Sequence, residues 1–250
     1  MISPLRRKVL RDLRRLWAQV LAIALVLAAG VATLILGNGA YSALHETRAR
    51  YYEENRFADV FADVTRAPRA LLAEIEEIPS VLDAEARIVK LGLLDLEGMK
   101  EPGSVLFVSL SETDTGLNQL YLRLGRLPDP QSAQEIVISD GFATAHGLGP
   151  GDTLPVLMNG QQRRLQITGV ALSPEFIYAL GPGQMMPDPR RFGIVWAPRA
   201  SLEAAFDLEG AFSNVVLKLA PGANADQVIE TLDRMTAAYG GVGAARRSDQ

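Results

Sequence analysis

The 250-residue sequence contains no cysteine. That excludes a disulfide scaffold, a thiolate metal site and a cysteine nucleophile together. Histidine occurs only at His45 and His146, neither with a second His or Cys at ligand spacing, so no transition-metal centre is expected. No Gly-x-x-x-x-Gly-Lys-Ser/Thr loop is present, which removes P-loop nucleotide hydrolysis. Gly181-Pro182-Gly183 is no substitute, because proline withdraws a backbone donor where a phosphate nest needs one. Ser139, Asp140 and His146 lack the Gly-x-Ser-x-Gly surroundings of a nucleophile elbow and read as turn and cap residues. The acidic pairs Glu53-Glu54 and Glu76-Glu77 read as solvated, since carboxylate chemistry needs burial or a shaped cleft. Long heptads are missing too. No catalytic residue, cofactor-binding residue or metal ligand is therefore assigned, no cofactor is expected, and the chain reads as a non-enzyme.

What is present is enough apolar material for a folded core: 48% hydrophobic residues against 22% charged. The net charge of −4 hides an asymmetry. Residues 1–16 carry Arg6, Arg7, Lys8, Arg11, Arg14 and Arg15 against Asp12, and the remainder carries 19 basic and 28 acidic residues. A basic head on an acidic body argues against nucleic acid as a partner and suits contact with anionic lipid. Leu16 to Leu44 contains no charge, and Val20 to Leu36 reads VLAIALVLAAGVATLIL. About 20 apolar residues in a helix cover the ~30 Å hydrocarbon layer with every backbone group satisfied. Trp17 and Tyr41 stand where aromatic rings prefer the headgroup region.

Residues 17–44 are thus expected to be a transmembrane helix, with 1–16 a basic amphipathic cytoplasmic segment and 45–250 extracytoplasmic. A cleaved signal peptide would need a core of about 7–15 residues, and here the apolar sequence continues past Ala28-Ala29-Gly30.

The outer part is expected to be α+β. His45 to Arg56 continues the helix, and Phe57 to Thr65 alternates as a strand up to Pro68. Arg69 to Ile78 reads as a helix, Val81 to Leu96 and Gly103 to Leu110 as strands. After Pro128-Asp129-Pro130 come a strand at Glu135 to Ser139, a helix at Asp140 to His146 and a hairpin around Asn159-Gly160. Strands at Ile194 to Ala197 and Asn214 to Leu219, and helices at Ser201 to Phe206 and Asn224 to Tyr239, complete the pattern. The expected organisation is an α/β domain made of residues 45–127 and 173–240, split by a small, mostly-β subdomain at 128–172, with 241–250 a flexible exit toward further spans.

One irregular segment, 174–192, stands out. Phe176, Met185, Met186 and Phe192 are the candidate contact residues for a partner or an apolar substrate, because methionine adapts to irregular surfaces.

The order of features resembles the ABC transporter permeases of the MacB/FtsX type. The resemblance is carried by Leu72-x-x-Ile75-x-x-Ile78-Pro79-Ser80-Val81, Leu124-Gly125-Arg126-Leu127-Pro128, Glu135-Ile136-Val137-Ile138-Ser139, Ala143, Leu148-Gly149-Pro150-Gly151-Asp152 and Gly169-Val170. It implies a porter-like α/β outer domain, a bacterial inner-membrane location and a dimer of permeases. It also implies a partner ATPase on the cytoplasmic side, a periplasmic adaptor as a further partner, and export or extraction of hydrophobic compounds, lipids, lipoproteins or peptides. A rival reading is a single-pass membrane-anchored sensor or ligand-binding domain.

Overall fold

A computed structural model describes residues 16–94, 103–113 and 115–247. The expectation for residues 1–15 as a basic amphipathic segment lies outside the described residues. The chain divides after Tyr51 into two units. Helix α1 runs Trp17–Glu54, and within it Trp17–Ala43 has a mean hydropathy of 2.7 with none of its most apolar stretch buried. By length and composition this segment is sufficient to cross a bilayer. Its apolar residues face all sides rather than one stripe, as lipid requires and an aqueous surface does not. Thr33, the hydroxyl in its middle, returns its hydrogen bond to the Ala29 carbonyl at 2.9 Å, so no polar group is left over there.

The second unit is built from two sheets. The first contains β1 (Val60–Pro68), β2 (Val81–Arg87), β10 (Ala211–Leu219) and β11 (Ala244–Arg246) in the order β11-β1-β10-β2, all antiparallel. Alternation along β1 puts Val60, Ala62 and Val64 on one face. There they pack with Leu71 and Ile75 of α2 (Leu71–Glu76) and with Val228 and Leu232 of α5 (Ala225–Thr236). Asn224 caps α5 by accepting from the Asp226 N–H at 3.2 Å. On the opposite face Phe61 and Val216 pack with Phe57, Ala58 and Leu117.

The second sheet has seven strands: β3 (Val89–Leu94), β4 (Gly103–Ser109), β5 (Tyr121–Gly125), β6 (Glu135–Ser139), β7 (Thr153–Met158), β8 (Gln161–Leu172) and β9 (Phe192–Ala197). Their order is β5-β8-β6-β9-β4-β3-β7, and an added β7–β8 pairing closes the sheet on itself. Twelve-residue β8 makes this possible: its first half pairs with β7 and its second half with β6 and β5. The enclosed core holds Phe107, Ile136, Ile138, Val156, Ile167 and Val195. It also takes Phe142 from α3 (Asp140–His146) and Leu202 from α4 (Arg199–Phe206). Gly125 and Gly169 lie directly opposite each other in the β5–β8 ladder. Gly125 has φ +75°, and a Cβ on Gly169 would stand 2.6 Å from the Arg126 carbonyl oxygen, so both positions require glycine.

The mixed α/β class and the single apolar helix agree with the sequence reading. The strands of 128–172, however, do not hydrogen-bond among themselves alone. They join strands at 89–94, 103–109 and 192–197 in one sheet, so the β-rich insertion interrupts the first sheet between Arg87 and Ala211. Within the expected exit, residues 244–246 form a strand. Ala244–Arg246 adds to the edge of β1, held by the Ala244 N–H donating to Asp233 Oδ1 at 2.7 Å and by an Arg246–Asp226 ion pair. Its pairing uses backbone groups that every residue carries, which is why composition alone suggested a linker.

Candidate functional site

The segment 174–192 contains the four residues singled out from sequence, and the fold treats them in two ways. Phe192 is buried as the first residue of β9, and Phe176 packs on Trp196 with ring centroids 6.2 Å apart. Both belong to the outer core of the second sheet. Met185 and Met186 are 96% and 77% exposed, and with Ile177, Tyr178 and Leu180 they form an exposed apolar run. The run is shaped by its own turns. Gln184 Oε1 accepts from the Gly181 N–H at 3.1 Å, and the Gln184 N–H donates to the Gly181 carbonyl at 3.0 Å. The Asp188 carbonyl then receives the N–H groups of Arg191 and Phe192, returning the chain to β9. Of the four residues, then, two form exposed surface and two pack beside it.

Next to this loop lies a cleft of about 570 Å³ that sequence reading did not find. Its walls include Glu85 and Arg87 from β2, Ser109 from β4, Asn118, Glu175, and Trp196 from β9. The strand alternation that buries Ala84 and Ala86 on one face puts Asp83, Glu85 and Arg87 on the other. Three charges alternating with alanine were the available signal.

Arg87 is the centre of the cleft and only 3% exposed. Its Nη1 and Nη2 donate to Glu175 Oε2 at 2.6 Å and Oε1 at 2.8 Å, a bidentate pair. Nε and Nη2 also donate to Asn214 Oδ1 at 2.9 and 2.8 Å, and Asn214 Nδ2 donates to Asp63 Oδ1 at 2.7 Å. Burial alone would lower the Arg87 pKa, but Glu175, Glu85 and Asp63 outweigh it and raise the pKa above the ordinary arginine value. Glu85 behaves oppositely. Burial raises its pKa, against the opposing influence of the Leu117 N–H, which donates to Oε2 at 2.7 Å, and of Arg87.

A second buried arginine fixes the junction of the two sheets. Arg199, at the start of α4, donates to the Ala86 carbonyl at 2.6 Å, the Ala211 carbonyl at 2.8 Å and Glu203 Oε1 at 2.8 Å. Those carbonyls flank the points where the chain leaves the first sheet and returns to it. Ser213 adds a further tie: its Oγ accepts from the Val89 N–H at 2.9 Å and donates to the Val89 carbonyl at 3.0 Å. The cleft charges are satisfied by one another, and the apolar surface lies outside.

An apolar helix long enough to cross a bilayer thus leads in sequence into a mixed α/β domain built from two sheets. Residues 18–235 match the MacB-like periplasmic core domain, and the chain belongs to that family. The family is one of transporter domains and not of catalytic enzymes. Among solved structures, the chain is similar to the periplasmic region of MacB from Actinobacillus actinomycetemcomitans, at 11% identity and a TM-score of 0.47, over 81% of this chain and 95% of that one. It is also similar to the extracellular domain of the noncanonic ABC-type transporter YknZ from Gram-positive bacteria, at 14% identity and a TM-score of 0.44, over 76% and 98% of the respective chains. Comparison with curated proteins finds no match.

Proposed function

We propose that this chain is a permease subunit that couples ATP hydrolysis by a partner ATPase in the cytoplasm to movement of its extracytoplasmic domain. The work done is export or extraction of hydrophobic compounds, lipids, lipoproteins or peptides. The observation that carries this reading is the family match spanning α1 and the folded domain together. The basic residues of 1–16 favour a cytoplasmic N-terminus in a bacterial inner membrane, with residues 45–250 outside. The permease acts as a dimer, and Met185 and Met186 meet the substrate or a periplasmic adaptor. The residues satisfying one another around Arg87 and Arg199 support the reading, because a domain that relays movement must not yield at its internal junction.

The absence of cysteine makes the test simple. Single Lys8→Cys and Met185→Cys variants are treated with a membrane-impermeant maleimide in two preparations. Spheroplasts expose the outer face of the inner membrane, and inverted vesicles expose its cytoplasmic face. The Met185→Cys variant is expected to be labelled in spheroplasts and the Lys8→Cys variant in inverted vesicles. In the complete transporter, the thiol of the Met185→Cys variant is also expected to react at a different rate when ATP is supplied. The reversed labelling pattern, or a labelling rate indifferent to ATP, defeats the reading.

A further inference from the structure

The base of the exposed loop and the chain emerging from α1 meet on one side chain. Glu175, one residue before Phe176, gives both carboxylate oxygens to Arg87, and Oε2 also accepts from Asn118 Nδ2 at 2.6 Å. Asn118 Oδ1 accepts from the Ala58 N–H at 2.8 Å. The backbone beside it is tied to the same segment: the Asn118 N–H donates to the Arg56 carbonyl at 3.2 Å and the Gln119 N–H to the Asn55 carbonyl at 2.9 Å. Residues 55–58 are the first after α1. Through Arg87 the carboxylate also reaches Asn214 in β10 and Asp63 in β1. The side chains of Arg87 and Glu175 are 4% and 7% exposed, so water is not a ready substitute for either partner.

We propose that Glu175 is a positioning residue that links the exposed loop at 176–186 to residues 55–58, so that displacement of the loop base changes the hold on the chain leaving α1. The inference rests on the reading of that loop as a contact surface. A tether for the loop alone would need one partner. Glu175 instead joins segments 57 and 88 residues away in sequence, and it cannot withdraw without leaving Arg87 and Asn118 short of an acceptor together. Asn118 holds φ +53°, a left-handed conformation that asparagine tolerates better than most residues, and it aims its amide at both Glu175 and Ala58.

Hydrogen exchange read by mass spectrometry on the full chain in detergent tests this without any substrate. In Glu175→Gln, peptides covering 55–59 and 174–187 are both expected to exchange about tenfold faster or more, with β4 and β9 unchanged. In Asn118→Ala, 55–59 is expected to accelerate while 174–187 keeps its rate. Acceleration of 174–187 alone in Glu175→Gln overturns the proposal. If Glu175→Gln accelerates every peptide, the fold itself has weakened, and Arg87→Lys decides. That variant keeps the charge and loses the bidentate grip. Acceleration of both segments with intact sheets then supports the link, and acceleration of one or neither overturns it. The maleimide labelling of the Lys8→Cys and Met185→Cys variants stands apart from these outcomes, so failure here leaves the permease reading where it was.

Discussion

Arg87 and Met185 occupy the reverse of the places their chemistry prefers: the guanidinium residue is 3% exposed and the thioether residue 96%. The cleft around Arg87 is charged and interior, while the loop carrying Met185 is apolar and outward. In the cleft, burial is tolerated because each charge has a partner fixed in direction, which specifies how β2, Asn118 and the loop base are arranged more than it adds stability. In the loop, apolar area is left unburied, which gives up hydrophobic stabilisation and leaves an adaptable surface. The two regions are thus maintained for different reasons, one for geometry and one for contact.

The largest expected effect comes from breaking the cleft. Arg87→Ala leaves the Glu175 carboxylate buried without its main partner and is expected to cost about 3–5 kcal/mol in denaturant unfolding. Arg87→Met with Glu175→Leu removes both charges and is expected to cost clearly less than Arg87→Ala alone. Equal losses would place the effect in packing instead of charge. Arg199→Ala strips hydrogen bonds from the Ala86 and Ala211 carbonyls and is expected to cost about 1–3 kcal/mol by the same measurement.

In contrast, Met185→Ser with Met186→Ser is expected to change stability by no more than about 0.5 kcal/mol. A loss well above that would show the methionines to be packed, and the contrast with the cleft would fall.

Two smaller effects are read in pH. Burial raises the Glu85 pKa, so the folded protein holds a proton where the unfolded chain has lost it. The stability this contributes is present at low pH and is lost as pH rises through the folded pKa. Glu85→Gln is expected to flatten the stability profile as pH rises above the ordinary carboxylate range in thermal unfolding. A profile of unchanged slope would mean the carboxyl is hydrated. Glu135 has the opposite sign: the Arg126 guanidinium, and then the Asp129 N–H, hold it down at about 2. Its contribution is present above the ordinary carboxylate range and is lost as pH falls from there through about 2. Arg126→Gln is expected to flatten that acid limb slightly, since the pair lies on the surface.

Local elements were legible because their signals are local. The Asn159-Gly160 hairpin, the Asp140–His146 helix closed by Gly147 and the Asn224 cap all depend on residues within a few positions of one another. An aromatic in an irregular segment, such as Phe176 or Phe192, reads the same in sequence whether it faces out or packs inward. The cleft was missed for a related reason. Arg87, Asn118, Glu175 and Asn214 are scattered along the chain, and only the folded chain makes them neighbours.

Composition and hydropathy by themselves determined an apolar helix long enough to cross a bilayer, since twenty or more uncharged apolar residues have few other stable environments. Alternation determined most strands, since side chains on successive residues must take opposite faces. Which strands pair was decided by the tertiary structure alone. β8 is long enough to serve two sets of neighbours on its first and second halves, and that pairing draws the 128–172 strands into a sheet with β3, β4 and β9. Hydrogen bonds between strands depend on backbone groups common to every residue, so their partners are chosen by the packing of the whole domain.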